Sequence, residues 1–151
     1  MLKNIVLTLL VSMVPVVELR GGLPFGITRG LPYSVAITAA VIGNLIPVPF
    51  IILFISRIFA FLRKKIPKLE RMIAALEKRA QNKGNLVEKY SALGLCILVA
   101  IPLPGTGAWT GALVAAVLGI RLKKATPAIV IGVLIAAAIV TFVTYGVTKI
   151  I

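Results

Sequence analysis

Apolar runs of two lengths alternate along the chain. Ile5 to Val17, broken only by Thr8 and Ser12, stops at Glu18-Leu19-Arg20-Gly21-Gly22-Leu23-Pro24. As a helix it would be about 20 Å long, short of a hydrocarbon core of about 30 Å. Gly21 to Arg29 is also short and ends at Gly30-Leu31-Pro32. The pair predicts a re-entrant hairpin over 5–30 that reaches the bilayer interior and returns, with Glu18 to Gly22 at its tip. Tyr33 to Leu62 is long enough to span, with kinks expected at Pro47 and Pro49. The pattern then recurs. Tyr90 to Ile101 and Ala108 to Leu118, separated by Pro102-Leu103-Pro104-Gly105-Thr106-Gly107, predict a second hairpin over 90–119. Ala125 to Tyr145 predicts a second spanning helix over 125–148, with Lys149 at its far end.

Between the halves, 63–89 is the one long polar stretch. Pro67 suits a first helical turn. Leu69, Met72, Ile73 and Leu76 share one face, and Asn82-Lys83-Gly84 reads as a stop. Such a helix either lies on an anionic leaflet or forms a solvated linker.

The halves are in register. At an offset of 89 residues Pro15 meets Pro104, Gly22 meets Gly111, Gly30 meets Gly119 and Gly43 meets Gly132. Broken hydrophobic segments at matching places in two halves point to a transport site. If both hairpins return to the side they entered from, the linker and the loop 120–124 share a side. The basic residues from Arg57 to Lys89 and from Arg121 to Lys124 then face the cytoplasm, leaving Lys3, Arg29 and Lys149 outside. The positive-inside rule favours that threading. Each half makes one net crossing, so the expected fold is an all-α integral membrane protein built as an inverted repeat. The repeats are 1–62 and 90–151, in one domain, with a basic amphipathic cytoplasmic linker and both termini outside. The expected location is the plasma membrane.

Composition agrees with a membrane chain and narrows the chemistry. The 151 residues are 60% hydrophobic, with a mean hydropathy of +1.08, against about 45–50% apolar in soluble domains. The net charge of +13 flanks apolar segments without stacking aromatics, which argues for membrane orientation over nucleic-acid binding. Histidine and aspartate are absent, and three of the four carboxylates, Glu70, Glu77 and Glu88, lie in the linker. Triad catalysis and His-ligated zinc therefore have no residues to use. The lone Cys96 supports neither a disulfide framework nor a metal cluster. No enzymatic activity, cofactor or metal is expected.

The candidate chemistry collects at the two breaks. Ionisable groups at membrane depth are costly and usually mark a substrate, proton or counter-ion site. Glu18 reads as a proton carrier or as a structural carboxylate, paired with Arg20 or capping freed backbone. Arg20 reads as an anion site, aided by half-helix N-termini. Each could instead find a partner across the repeat interface. Gly21, Gly22, Gly105 and Gly107 would bring backbone amides close to a substrate, and Pro24 and Pro104 keep the backbone irregular. Thr106 and Thr110 could donate to substrate or to local carbonyls. Trp109 could line a cavity or anchor at an interface. Asn44, polar inside a span and matched by Val133, is a candidate for lining the pathway.

Glu18-Leu19-Arg20-Gly21 with Leu23-Pro24, and Pro102-Leu103-Pro104-Gly105-Thr106-Gly107-Ala108-Trp109-Thr110-Gly111, resemble the small multi-drug export protein family. That family is a branch of the wider DedA/VTT-type membrane proteins. The resemblance covers essentially the whole chain. It implies a polytopic transporter with two re-entrant hairpins and, for DedA relatives, movement of polyprenyl-phosphate or phospholipid head groups tied to the proton gradient. The Glu-x-Arg-Gly element of DedA proteins falls on Glu18, Arg20 and Gly21. The arginines that DedA proteins carry near their second hairpin have no counterpart between Pro102 and Leu118. Three functions are expected candidates. The first is a transporter or flippase of an anionic lipid-linked or small phosphate-bearing substrate, with Arg20 as anion site and Glu18 as proton switch. The others are a proton-coupled exporter of small cationic drugs and a non-transporting scaffold. The expected partners are the lipid bilayer, the substrate, protons and a second copy in a homodimer.

Overall fold

The computed structural model describes residues 1–67, 70–90, 92–103 and 105–150, without the side chains of 83–90 and 148–150. All regular structure among them is helical: α1 (Leu2–Met13), α2 (Glu18–Thr28), α3 (Tyr33–Leu45), α4 (Pro47–Lys65), α5 (Glu70–Tyr90), α6 (Ala92–Ala100), α7 (Ala108–Val117) and α8 (Leu122–Ile150). Pro104, Lys68 and Leu69 lie outside the described residues, as do the side chains of Lys83 and Lys149.

Among the described residues two helices are long and apolar enough to cross a membrane, Tyr33–Lys65 and Leu122–Val147. The first is α3 continued into α4. Pro47 and Pro49 remove amide donors there, but Ile46 keeps helical dihedrals (φ −54°, ψ −46°), so the chain carries on without a turn. α3 and α8 run antiparallel. Tyr33 packs its ring edge-on to Tyr145 at 5.9 Å, while farther along α3 Asn44 shares a small cavity with Val133 and Ala136.

Two helical hairpins, α1–α2 and α6–α7, pack against these long helices. α1 lies chiefly on α3 and α6 chiefly on α8, whereas α2 also touches α8 and α7 packs on α4. Each hairpin therefore leans on the long helix of the other half. The halves also end their hairpins alike. Gly30 (φ 79°) and Gly119 (φ 67°) are both left-handed. The Gly30 and Leu31 amides donate to Ile27 and Gly26, and the Gly119 and Ile120 amides donate to Ala116 and Ala115. Both are Schellman caps, in which glycine adopts the left-handed C′ conformation without steric cost.

Three local expectations are corrected. The hairpin tip expected at Glu18 to Gly22, with Pro24 beyond it, lies wholly inside α2, and the break falls at Val14–Val17. Gly22 is a packing residue: a Cβ there would run into Ser12 of α1. The stop at Asn82-Lys83-Gly84 does not occur, and α5 continues to Tyr90. Nor is α5 a bare surface or linker helix. Ile73 and Ala80 are buried, and its contacts are with α4, α6 and α7. Its apolar face covers the second hairpin.

Candidate functional site

The breaks at Val14–Val17 and Ile101–Gly107 meet. Each half extends side chains to the unsatisfied helix ends of the other. Glu18 begins α2 with a positive φ of 49° and is 5% exposed. Its Oε1 accepts the Trp109 backbone N–H at 3.1 Å, with the Ala108 amide close enough to act on the carboxylate electrostatically. A carboxylate from α2 thus occupies the N-terminus of α7, where free amides and the helix dipole favour negative charge. Gly107 makes this approach possible. Its φ is +129°, and a Cβ there would lie 2.8 Å from the Glu18 carboxyl carbon and closer still to an oxygen.

Arg20 attends to the opposite pole. Its guanidinium donates to Leu103 O, to Ile101 O at 3.2 Å and to Thr106 Oγ1 at 2.8 Å. These carbonyls lie just beyond the C-terminus of α6, where carbonyls lack intrahelical partners and a cation is favoured. The 89-residue offset puts Arg20 over Trp109, and Trp109 makes the converse contact. Its indole Nε1 donates to Met13 O at 3.0 Å, the last carbonyl of α1. Each half's second hairpin helix therefore caps the end of the other half's first.

Glu18 and Arg20 are close enough to interact electrostatically, but they do not form an ion pair. The ion pair among the described residues is Arg63–Glu77, between α4 and α5. Thr106 Oγ1 accepts from Arg20 and from the Leu103 amide, and its hydroxyl faces Ile101 O and Leu103 O. Thr110 donates to Gly105 O at 3.1 Å. Both threonines serve the local backbone.

A cavity of about 330 Å³ opens beside this junction. Glu18, Trp109 and Thr110 line one side and Leu76, Arg79 and Ala80 of α5 the other, with Gly105 and Thr106 at the break. Gly21, Gly22 and Pro24 lie away from it. Asn44 lies on the far side of Glu18, 3% exposed, in a separate cavity of about 10 Å³. Arg79 and the Trp109–Met13 contact are the residues that sequence reasoning missed. The repeat offset pairing Arg20 with Trp109 carried the signal for the second. Among the described residues no three His, Cys, Asp or Glu side chains gather to hold a metal ion.

Searches of curated proteins and of solved structures return no match. Residues 18–139, from the Glu18 contact to the second half of α8, match the family described as "Putative small multi-drug export protein". The chain belongs to that family.

Proposed function

We propose that the chain is a transporter in which the two hairpin tips form one gate, and that it moves an amphiphilic molecule bearing a phosphate or similar anionic group. Family membership and two helices of spanning length make it a membrane protein. The antiparallel long helices and the two equivalent hairpins support an inverted repeat with both hairpins re-entrant, the arrangement that lets one half rock against the other.

The observation that carries the reading is the exchange of helix caps between tips beside a cavity. Val14 to Val17 and Ile101 to Leu103 are non-helical and exposed. Such backbone is tolerated at membrane depth only where protein or a water-filled cavity surrounds it. A water-filled path supplies that surrounding, and the face of a second copy could complete it in a homodimer.

Glu18 acts as the switch. Ionised, it holds the α7 N-terminus; protonated, it accepts those amide hydrogens weakly and the tips part. The vacated amides then form an anion site, and Arg79 on the opposite wall supplies a cation. Arg20 contributes less to substrate than its charge suggests, because Ile101, Leu103 and Thr106 already take its hydrogens. Substrate anion and Glu18 carboxylate compete for one helix end, which ties proton uptake to substrate binding.

Proteoliposomes test the proposal through flux of a polyprenyl phosphate and of a lipophilic cation, each driven by a pH gradient. Phosphate flux that stops in Glu18→Gln is expected. Cation flux instead would favour the drug-exporter reading suggested by the family's description, with Glu18 as cation site. Absence of both, in protein that retains its helical circular dichroism, would leave the scaffold.

A further inference from the structure

The second cavity lies where the two halves meet. Three residue pairs at the 89-residue offset line it: Glu18 with Gly107, Leu19 with Ala108 and Asn44 with Val133. It therefore sits on the relation that exchanges the halves. Asn44 is eleven residues beyond Tyr33 in α3, and Val133 eleven beyond Leu122 in α8. At 1.5 Å per residue each is about 16 Å from its helix start, close to half of a hydrocarbon core of about 30 Å.

The polar groups there are unequal. One half supplies a carboxylate and an amide, whereas its counterpart supplies glycine and valine. Asn44 is 3% exposed, and no donor from the protein reaches its Oδ1. A buried acceptor without a donor costs about 1–3 kcal/mol, so the site favours an occupant that donates. The cavity of about 10 Å³ is the size of one water. Arg20 also lines it, which offsets the Glu18 charge and disfavours a dehydrated cation.

We propose that Asn44 and Glu18 hold a single water between them at the centre of the repeat, and that this water hands the proton to Glu18. The excess proton arrives on the water as hydronium and passes to the carboxylate. Neutral water remains on Asn44, and the carboxyl group releases the α7 amides. The charged groups around Glu18 are Arg20 on its own helix and Arg79 across the larger cavity; α3, α7 and α8 add none to the lining. The inference rests on reading Glu18 as the proton-carrying group, but the water band and proton uptake that decide it do not depend on transport.

Infrared difference spectra between acid and alkaline pH, recorded on full-length protein in phosphatidylcholine vesicles, test it. In wild type, one O–H stretch should move when ordinary water is replaced by heavy-oxygen water. Asn44→Val, which copies the residue at the matching position, should lose that band and slow proton uptake after a pH jump by an order of magnitude or more. Asn44→Asp, which keeps an acceptor, should retain the band. A wild type without such a band, an unchanged band in Asn44→Val, or a carboxylate stretch that shifts on sodium titration would overturn the proposal. If the band behaves as expected while Glu18→Gln leaves phosphate flux intact, the water site stands and the gating role of Glu18 falls.

Discussion

Replacing Gly107 by alanine disturbs the junction in two separable ways. The first is conformational. At φ +129° and ψ −169° the backbone lies in a region nearly confined to glycine, where another residue costs about 1–3 kcal/mol. The second is steric. The added Cβ occupies the space of the Glu18 carboxylate, so Glu18 must leave the Ala108 and Trp109 amides. A charge-assisted hydrogen bond contributes about 1.5–3 kcal/mol, giving a total of about 2.5–6 kcal/mol. Gly30→Ala gives a clash-free reference for alanine at a positive φ, because a Cβ there meets nothing within 4 Å at a φ of 79°, in the milder left-handed region. Unfolding in mixed micelles, followed by circular dichroism, measures both. Glu18→Ala then supplies the decisive comparison. With the carboxylate gone, Gly107→Ala should keep only its conformational cost, so the double variant should be more stable than the sum of its singles by about 1.5–3 kcal/mol. Additive losses would refute the contact between Glu18 and the start of α7.

The cap exchange and the threading give two more expectations. Arg20→Lys, with one ammonium for three acceptors, should lose about 1–3 kcal/mol in the same titration, and Trp109→Phe, which removes the donor to Met13, about 0.5–1.5 kcal/mol; a neutral outcome for both would deny the exchange. In a Cys96→Ala background, cysteines at Arg29 and Lys123 should react with an impermeant maleimide from opposite faces of the vesicle, and reaction of both from one face would contradict the inverted arrangement.

Much of the architecture could be read from run lengths. Half-length and full-length apolar segments mark the hairpins and long helices because bilayer thickness sets helix length. The offset of prolines and glycines located the correspondence between halves. Glycine alone did not reveal its own role. Gly21 and Gly22 looked like breakers, but inside an apolar hairpin Gly22 gains more from close packing against Ser12 than it loses in backbone entropy. The true break at Val14–Val17 contains no glycine. The cover formed by α5 was hidden because its apolar stripe fits a membrane surface as well as a protein groove. Glu18 and Arg20 stand out as costly charges, yet their partners lie some eighty to ninety residues away and, the Thr106 hydroxyl apart, are backbone groups that carry no side-chain signature.

The distance between the tips tests the gate most directly. Val16 and Leu103 are exposed, at 96% and 56%, and accept spin labels without disturbing the caps. Electron–electron double resonance on reconstituted protein should give one short distance at alkaline pH and a second, longer population at acid pH. In Glu18→Gln the longer population should be present at both. A single distance that ignores pH and the Glu18 substitution would mean that the tips do not open through this carboxylate.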